Sequence, residues 1–183
     1  LSPDKEAVYS EIIRVLKPGG EMYISDVFSD RRIPESLRKD PVLYGECLSG
    51  ALYIEDFRRI LQTCNIWDYR TVSKRKLTIG DDEVAKKMGD IRCYSMTIRA
   101  FKLPLEDVCE NYGQTVEYKG TAELPSQFIL DNHHTFKANE PLQVCGNTFD
   151  MIKNTRYTPH FKVVGDKTTH HGLFKAEIKS GCC

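Results

Sequence analysis

The sequence predicts an α/β fold running to about residue 103, followed by a small mixed, mostly β domain over residues 104–183. Three observations carry this. A helix, a Pro-Gly-Gly turn and a short apolar run stand together near the start, a strand–helix–strand pattern occupies 70–103, and beyond Pro104 helical periodicity gives way to short segments with glycines and His-His pairs. An apolar stripe that changes from helical to alternating spacing across a tight turn is the signature of an α/β unit.

Ser2-Pro3-Asp4-Lys5-Glu6 reads as a helix start, with a capping serine, proline at the first helical position and acids in the first turn. Ala7, Val8, Ile12, Val15 and Leu16 recur at helical spacing until Lys17-Pro18-Gly19-Gly20 ends the pattern. Glu21 to Val27 is short and apolar, which suits a strand of a parallel sheet buried on both faces. Ile33 to Arg38 reads as a weak helix, and Leu52 to Thr63, with Ile54, Phe57, Ile60 and Leu61 on one stripe, as a stronger one. Arg70 to Ile79 and Ile91 to Leu103 read as strands around a short capped helix at Asp81 to Met88, an antiparallel edge to the sheet. In the second domain, 116–119, 127–130, 143–145, 161–164 and 172–176 read as short strands, and 150–154 as a helical turn.

With 183 residues and 40% hydrophobic content the chain can bury a core. Lysine and arginine number 26 against 26 aspartates and glutamates, so no nucleic-acid or anionic membrane partner is expected. No apolar run approaches the ~20 residues that cross a bilayer, and Leu1 to Tyr9 has no targeting character. Seven cysteines, an odd count at wide spacing, argue for reduced thiols and a cytoplasmic location rather than a secreted disulfide framework. A monomer is expected. Adjacent histidines at 133–134 and 170–171 would point to opposite faces of a strand, and no Cys-x-x-Cys spacing accompanies them, so a structural zinc site is not expected.

Arg14-Val15-Leu16-Lys17-Pro18-Gly19-Gly20 before a strand resembles the segment preceding the fifth strand of class I, Rossmann-like methyltransferases. The resemblance sharpens at Ser29-Asp30-Arg31-Arg32-Ile33-Pro34, at Asp40-Pro41 through Gly45-Glu46-Cys47-Leu48-Ser49-Gly50-Ala51-Leu52-Tyr53, at Gly89-Asp90-Ile91-Arg92, at Cys109-Glu110-Asn111-Tyr112-Gly113-Gln114, and at Val144-Cys145-Gly146-Asn147-Thr148. These closely resemble arsenite methyltransferases. The family resemblance implies the second half of a Rossmann-like sheet, with a small carboxyl-terminal domain attached. It also implies transfer of methyl groups from S-adenosylmethionine to arsenite or methylarsenite held by thiolates, with a glutathione- or thioredoxin-type reductant to restore the thiols. A glycine-rich turn after a first strand and an acidic residue ending a second are absent from this sequence, so the cofactor is expected to be bound mainly by an upstream half.

A soft, thiophilic centre is best held by soft sulfur, and the thiolate is the ligand. By the resemblance, Cys47 in Gly-Glu-Cys-Leu is the first arsenic ligand and a catalytic residue. Cys93 is the second, two residues beyond Ile91, where animal members of the family place a cysteine, and Cys109 is its competitor. Tyr44 and Tyr53 flank Cys47 and would wall the pocket. Cys64 and Cys145 read as core, and Cys182-Cys183 as a solvated tail. The alternative function is a thiol-rich arsenite or heavy-metal binding module without turnover.

Overall fold

The computed structural model describes residues 4–175. Helix α1 (Lys5–Val15) is capped by Asp4, whose carboxylate accepts from the Ala7 amide at 2.9 Å, so the cap is Asp4 and not the serine expected. Its far end is closed by Lys102, which donates to the Ile13 and Leu16 carbonyls at 2.8 Å each, a cation placed on orphan carbonyls. After the Pro-Gly-Gly turn, β1 (Glu21–Ser29) enters the sheet. Short helices α2 (Glu35–Arg38) and α3 (Pro41–Gly45) follow, then β2 (Leu52–Tyr53), α4 (Ile54–Thr63), β3 (Tyr69–Lys76), α5 (Asp82–Met88) and β4 (Cys93–Phe101).

The four strands run in the order β2-β1-β4-β3. β1 pairs β4 antiparallel without interruption from Glu21↔Phe101 to Ser29↔Cys93, and β3 pairs β4 antiparallel with one bulge between Thr71 and Ser73. Only Phe28↔Leu52 and Ser29↔Tyr53 pair parallel. The expected antiparallel edge is therefore present, but β1 is not a strand of a parallel sheet buried on both faces. Its chief neighbour is antiparallel, and Tyr23 and Ser25 are exposed.

α1 and α4 cover one face. Phe57 sits at the centre of that core, its ring meeting those of Tyr9, Phe28 and Tyr69 edge-on at 4.9, 5.2 and 5.4 Å. A second apolar cluster, with Ile33, Leu43, Leu48, Val84, Met88 and Cys93, fills the end of the sheet where β4 begins.

The remaining elements form the carboxyl-terminal module: β5 (Thr115–Tyr118), β6 (Gln127–Ile129), β7 (Thr135–Lys137), β8 (Pro141–Gln143), α6 (Gly146–Lys153) and β9 (Phe161–Val164). They make a three-stranded sheet β8-β5-β9 and a hairpin of β6 and β7. β7 was not anticipated, and the helical turn expected at 150–154 is the end of the longer α6. The strand expected at 172–176 is reduced to an isolated bridge between Leu173 and Glu110, with Ala176 outside the described residues. Phe101 belongs to the module's core, so the apolar interior is continuous across residue 103.

Docking of the module on the open face of the sheet is ionic as well as apolar. Cross-strand partners share a face, and Arg70 pairs with Arg99 in the β3–β4 ladder, so two buried guanidinium groups stand side by side. Each is matched by acids and carbonyls. Arg70 donates to Asp68 at 2.7 Å and to Asp131 of the module at 3.5 Å, while Arg99 meets Glu21 at 2.6 Å and donates to the Leu130 carbonyl at 2.7 Å. Asn147 donates to Asp68 at 3.1 Å, and Tyr157 and Arg156 both reach Glu21. Cys145, wholly buried, lies within this network beside Arg70 and Thr148, which bears out its reading as core. Cys64 sits at the rim of the helical core, its thiol 3.6 Å from Ser10 Oγ.

Asp131 is opposed by burial, yet His134, Arg70 and the His133 amide together bring it down to about 2 from an ordinary value of 3.8. Its folded value is below its unfolded one, so its contribution is present above about pH 4 and is lost as pH falls toward 2. That contribution is about 2 kcal/mol. Burial raises Asp68 in spite of Arg70, which offsets part of the effect. Urea unfolding should show Asp131→Ala destabilised by about 3 kcal/mol at neutral pH, the cost of leaving Arg70 short of a buried partner, with a shallower loss of stability between pH 4 and 2 than the parent shows.

Candidate functional site

The segment carrying Cys47 is built from α3 outward. Asp40 caps the helix, accepting from the Val42 and Leu43 amides at 2.9 and 3.1 Å, and Pro41 occupies the first turn, where its missing N–H costs nothing. Lys87 of α5 holds the same carboxylate at 2.7 Å and, with those amides, keeps it below the usual carboxylate range. This five-residue helix was not anticipated. Its Asp-Pro start was legible, but the run is too short for periodicity to show.

At its far end the helix closes with the paired hydrogen bonds of a Schellman motif. The Cys47 amide donates to the Tyr44 carbonyl at 3.0 Å and the Leu48 amide to the Leu43 carbonyl at 2.9 Å, with Leu43 and Leu48 buried in one cluster. In this motif the residue after the cap adopts a left-handed conformation and is usually glycine. Here it is Cys47, at φ 61°. A side chain at that position costs about 1–2 kcal/mol, so the thiol is kept against local preference. Cys47 is a free, half-exposed thiol.

Cys93 opens β4 and is buried to 2% exposure in the cluster that also holds Leu43 and Leu48, the residues pinning the Cys47 turn. Its thiol is pushed up to about 11, by burial first and then by the Asp30 carboxylate. Asp30 is in turn locked to the start of β4, its amide donating to the Arg92 carbonyl at 3.0 Å and its carboxylate accepting from the Arg92 amide at 3.1 Å. The strand begins at Cys93 and not at Ile91, whose amide closes the turn after α5 on Met88. The two-residue period that would relate Ile91 to Cys93 therefore does not hold, although both side chains pack in the same cluster.

Cys109 is disulfide-bonded, which revises the expectation of reduced thiols at that position. It also lies elsewhere. A cleft of about 790 Å³ is bounded by Tyr44, Ser49, Gly50 and Tyr53 from the Cys47 segment and by Asp56, Arg59 and Ile60 of α4. Cys109 lines a different cleft, with Trp67, Asp131 and His133, against Glu55, Arg58 and Gln62 of the same helix. Helix α4 thus separates Cys109 from the Cys47 turn. Cys182 and Cys183 fall outside the described residues. Among the described residues no cluster of three or more His, Cys, Asp or Glu could hold a metal ion. His134 is buried against Asp131 at 2.9 Å, and His170 pairs with Glu110 at 2.9 Å.

The cleft at Tyr44 and Tyr53 opens beside the ends of β1 and β2, where α/β sheets place their ligands. The glycine pair Gly19-Gly20 is not a cradle for S-adenosylmethionine. A Cβ at Gly19 would stand 2.7 Å from the Asn154 carbonyl and one at Gly20 2.7 Å from the Lys17 carbonyl, so this glycine pair admits protein backbone and not a nucleotide.

Residues 1–65 match the model of a methyltransferase domain, and residues 111–182 that of the arsenite methyltransferase C-terminal domain. The chain is similar to arsenite methyltransferases along nearly its whole length. It is 49% identical over 177 residues to an arsenite methyltransferase of Aquipseudomonas alcaligenes, covering 96% of this chain and 51% of that protein. To the human arsenite methyltransferase it is 35% identical over 182 residues, covering 98% of this chain and 48% of the relative. The chain therefore spans about half the length of the curated relatives it matches. Among solved structures it is similar to CrArsM, an arsenic(III) S-adenosylmethionine methyltransferase from Chlamydomonas reinhardtii, at 47% identity and a TM-score of 0.90, covering 96% of this chain and 59% of that one. The likeness supports a Rossmann-like methyltransferase fold with a mixed sheet.

Two outcomes follow from the turn and the strand. Cys47→Gly should raise stability by about 0.5–1 kcal/mol in chemical denaturation, the relief of the left-handed side chain less the entropy glycine adds to the unfolded chain, while removing one reactive thiol. In a pH series of iodoacetamide alkylation read by peptide mass, Cys47 should react first at neutral pH. Cys93 should lag until the pH approaches 11, where its thiolate forms.

Proposed function

We propose that the chain is the carboxyl-terminal part of a methyltransferase that moves methyl groups from S-adenosylmethionine to thiol-bound trivalent arsenic. The observation that carries this reading is Cys47, a free and accessible thiol held at a backbone position where glycine is the favoured residue, inside a segment matching that family. Arsenite or methylarsenite is the substrate. Trivalent arsenic carries its own lone pair, so no general base is needed, and the task of these residues is to fix the arsenic and keep water from it. Cys47 is the first ligand, and Tyr44 and Tyr53, which flank it in the sequence, line the cleft next to its segment.

Cys93 is the second ligand we favour. It shares an apolar cluster with the residues that pin the Cys47 turn, whereas Cys109 stands beyond α4 in a disulfide. Cys93 must lose its proton as the arsenic–sulfur bond forms, and bond formation to a soft centre drives that loss. S-Adenosylmethionine supplies the methyl group when bound, and the family resemblance assigns its binding mainly to an upstream half. A thiol reductant of the glutathione or thioredoxin type, a cytoplasmic location and a monomeric state complete the proposal. Among the described residues no helix is long and apolar enough to cross a membrane.

The alternative, a sequestering module without turnover, shares the thiols but not the product. In the complete protein, labelled S-adenosylmethionine should yield methylarsenic, and Cys47→Ser should abolish it, by at least about a hundredfold, while leaving the fold intact by circular dichroism. Arsenite binding without methylarsenic product would favour sequestration, and turnover undiminished in Cys47→Ser would remove Cys47 from the site.

A further inference from the structure

Ser49 is the one residue of the Cys47 turn whose side chain has unfinished chemistry. Its residue exposure is 3%, and its hydroxyl has no hydrogen-bond partner among the described residues. A buried hydroxyl left unpaired costs about 1–3 kcal/mol, so such a group implies a ligand that is absent. The turn does not let it move away. The Ser49 amide donates to the Leu43 carbonyl at 3.1 Å, the same carbonyl that accepts from Leu48, and the residue lines the cleft shared with Tyr44 and Tyr53.

The position of Ser49 limits the ligand. It stands two residues beyond Cys47 in the same turn, so the two Cα atoms are within about 7 Å of each other, and its side chain lines the cleft next to the Cys47 segment. The basic groups that line the cleft each face a carboxylate, Lys5 that of Asp26 and Arg38 that of Glu35 at 4.0 Å. Arg32 makes a twofold bond to Asp56 at 2.7 and 2.6 Å, and Arg59 meets the same carboxylate at 2.8 Å. A small neutral hydroxyl therefore suits Ser49 better than a carboxylate or phosphate.

We propose that Ser49 is a specificity-determining residue that hydrogen-bonds the hydroxyl group remaining on arsenic when arsenite is bound through two thiols. This rests on the reading of Cys47 as an arsenic ligand. In that binding step two sulfur–arsenic bonds form and two arsenic–hydroxyl bonds break, and each departing hydroxide takes a thiol proton and leaves as water. One hydroxyl stays on arsenic and no electron is transferred. When methylarsonous or phenylarsonous acid binds through the same thiols, both hydroxyls depart and carbon occupies the third position. Ser49 then has nothing to bond. The residue thus separates inorganic arsenic from its methylated forms.

The test is equilibrium dialysis of the 183-residue chain under reducing conditions against arsenite and, separately, phenylarsonous acid, with Ser49→Ala and Cys47→Ser beside the parent. Ser49→Ala should weaken arsenite about three- to tenfold, the loss of one hydrogen bond, and leave phenylarsonous acid within twofold of the parent. Equal weakening of both ligands would show a structural role only, and no weakening of either would show that the hydroxyl meets no ligand. Either result overturns the proposal. Cys47→Ser reports separately, since arsenite affinity that survives that substitution defeats the assignment of Cys47 itself.

Discussion

Two arginines placed side by side by strand register impose the main constraint on this molecule. Arg70 and Arg99 are cross-strand partners, both buried, and like charges in that arrangement are unfavourable unless each is paired. The sheet alone provides Asp68 and Glu21. The module provides Asp131, the Leu130 carbonyl, Asn147 and Tyr157, so the second half of the chain completes the charge balance of the first. Gly19 shows the same dependence in steric form, since its close approach to the Asn154 carbonyl leaves no room for a side chain. The module is thus part of the sheet's own stability, and not an appendage on a linker.

The same strand carries this constraint to the thiols. β4 begins at Cys93 and ends at Phe101, with Arg99 near its far end, and the unbroken ladder to β1 admits no slip that would keep Glu21 on Arg99 while moving Cys93. At the near end, α3 and α5 press Leu43, Leu48, Val84 and Met88 around Cys93, and the turn with Cys47 is fastened to that cluster. One thiol is then accessible and conformationally strained, the other buried and difficult to ionise. The pair is suited to a ligand whose bond energy to sulfur exceeds the cost of deprotonation, and ill suited to casual oxidation.

The α/β half was largely legible because its signals are local. The Pro-Gly-Gly turn, the stripe of Phe57, Ile60 and Leu61, and the strand–helix–strand run each determine their own segment. The parallel, doubly buried reading of β1 failed because an apolar run does not reveal whether its neighbours are parallel. Short elements escaped as well. α3 is tied by Asp40 to Lys87, 47 residues on, and β7 is a three-residue strand paired only with the equally short β6. Among the site residues, Cys47 was legible through its family segment, but its left-handed backbone was not, since nothing in Glu-Cys-Leu announces that conformation. Ser49 gave no signal at all: an unpaired hydroxyl is a property of its surroundings. Cys109 could not be separated from Cys93 in the sequence because what divides them is the disulfide at Cys109 and the burial of Cys93 in the cluster that pins the Cys47 turn.

The central claim is that arsenic is held at the Cys47 turn by thiols drawn from both ends of the Leu43–Leu48–Cys93 cluster. X-ray absorption at the arsenic edge, recorded on the arsenite-loaded chain in reducing buffer and on its Cys47→Ser and Cys93→Ser forms, addresses it directly. The account predicts a shell of sulfur with residual oxygen in the parent, and a loss of sulfur for oxygen in each variant. An all-oxygen shell in the parent, or a sulfur shell that neither substitution alters, would contradict it.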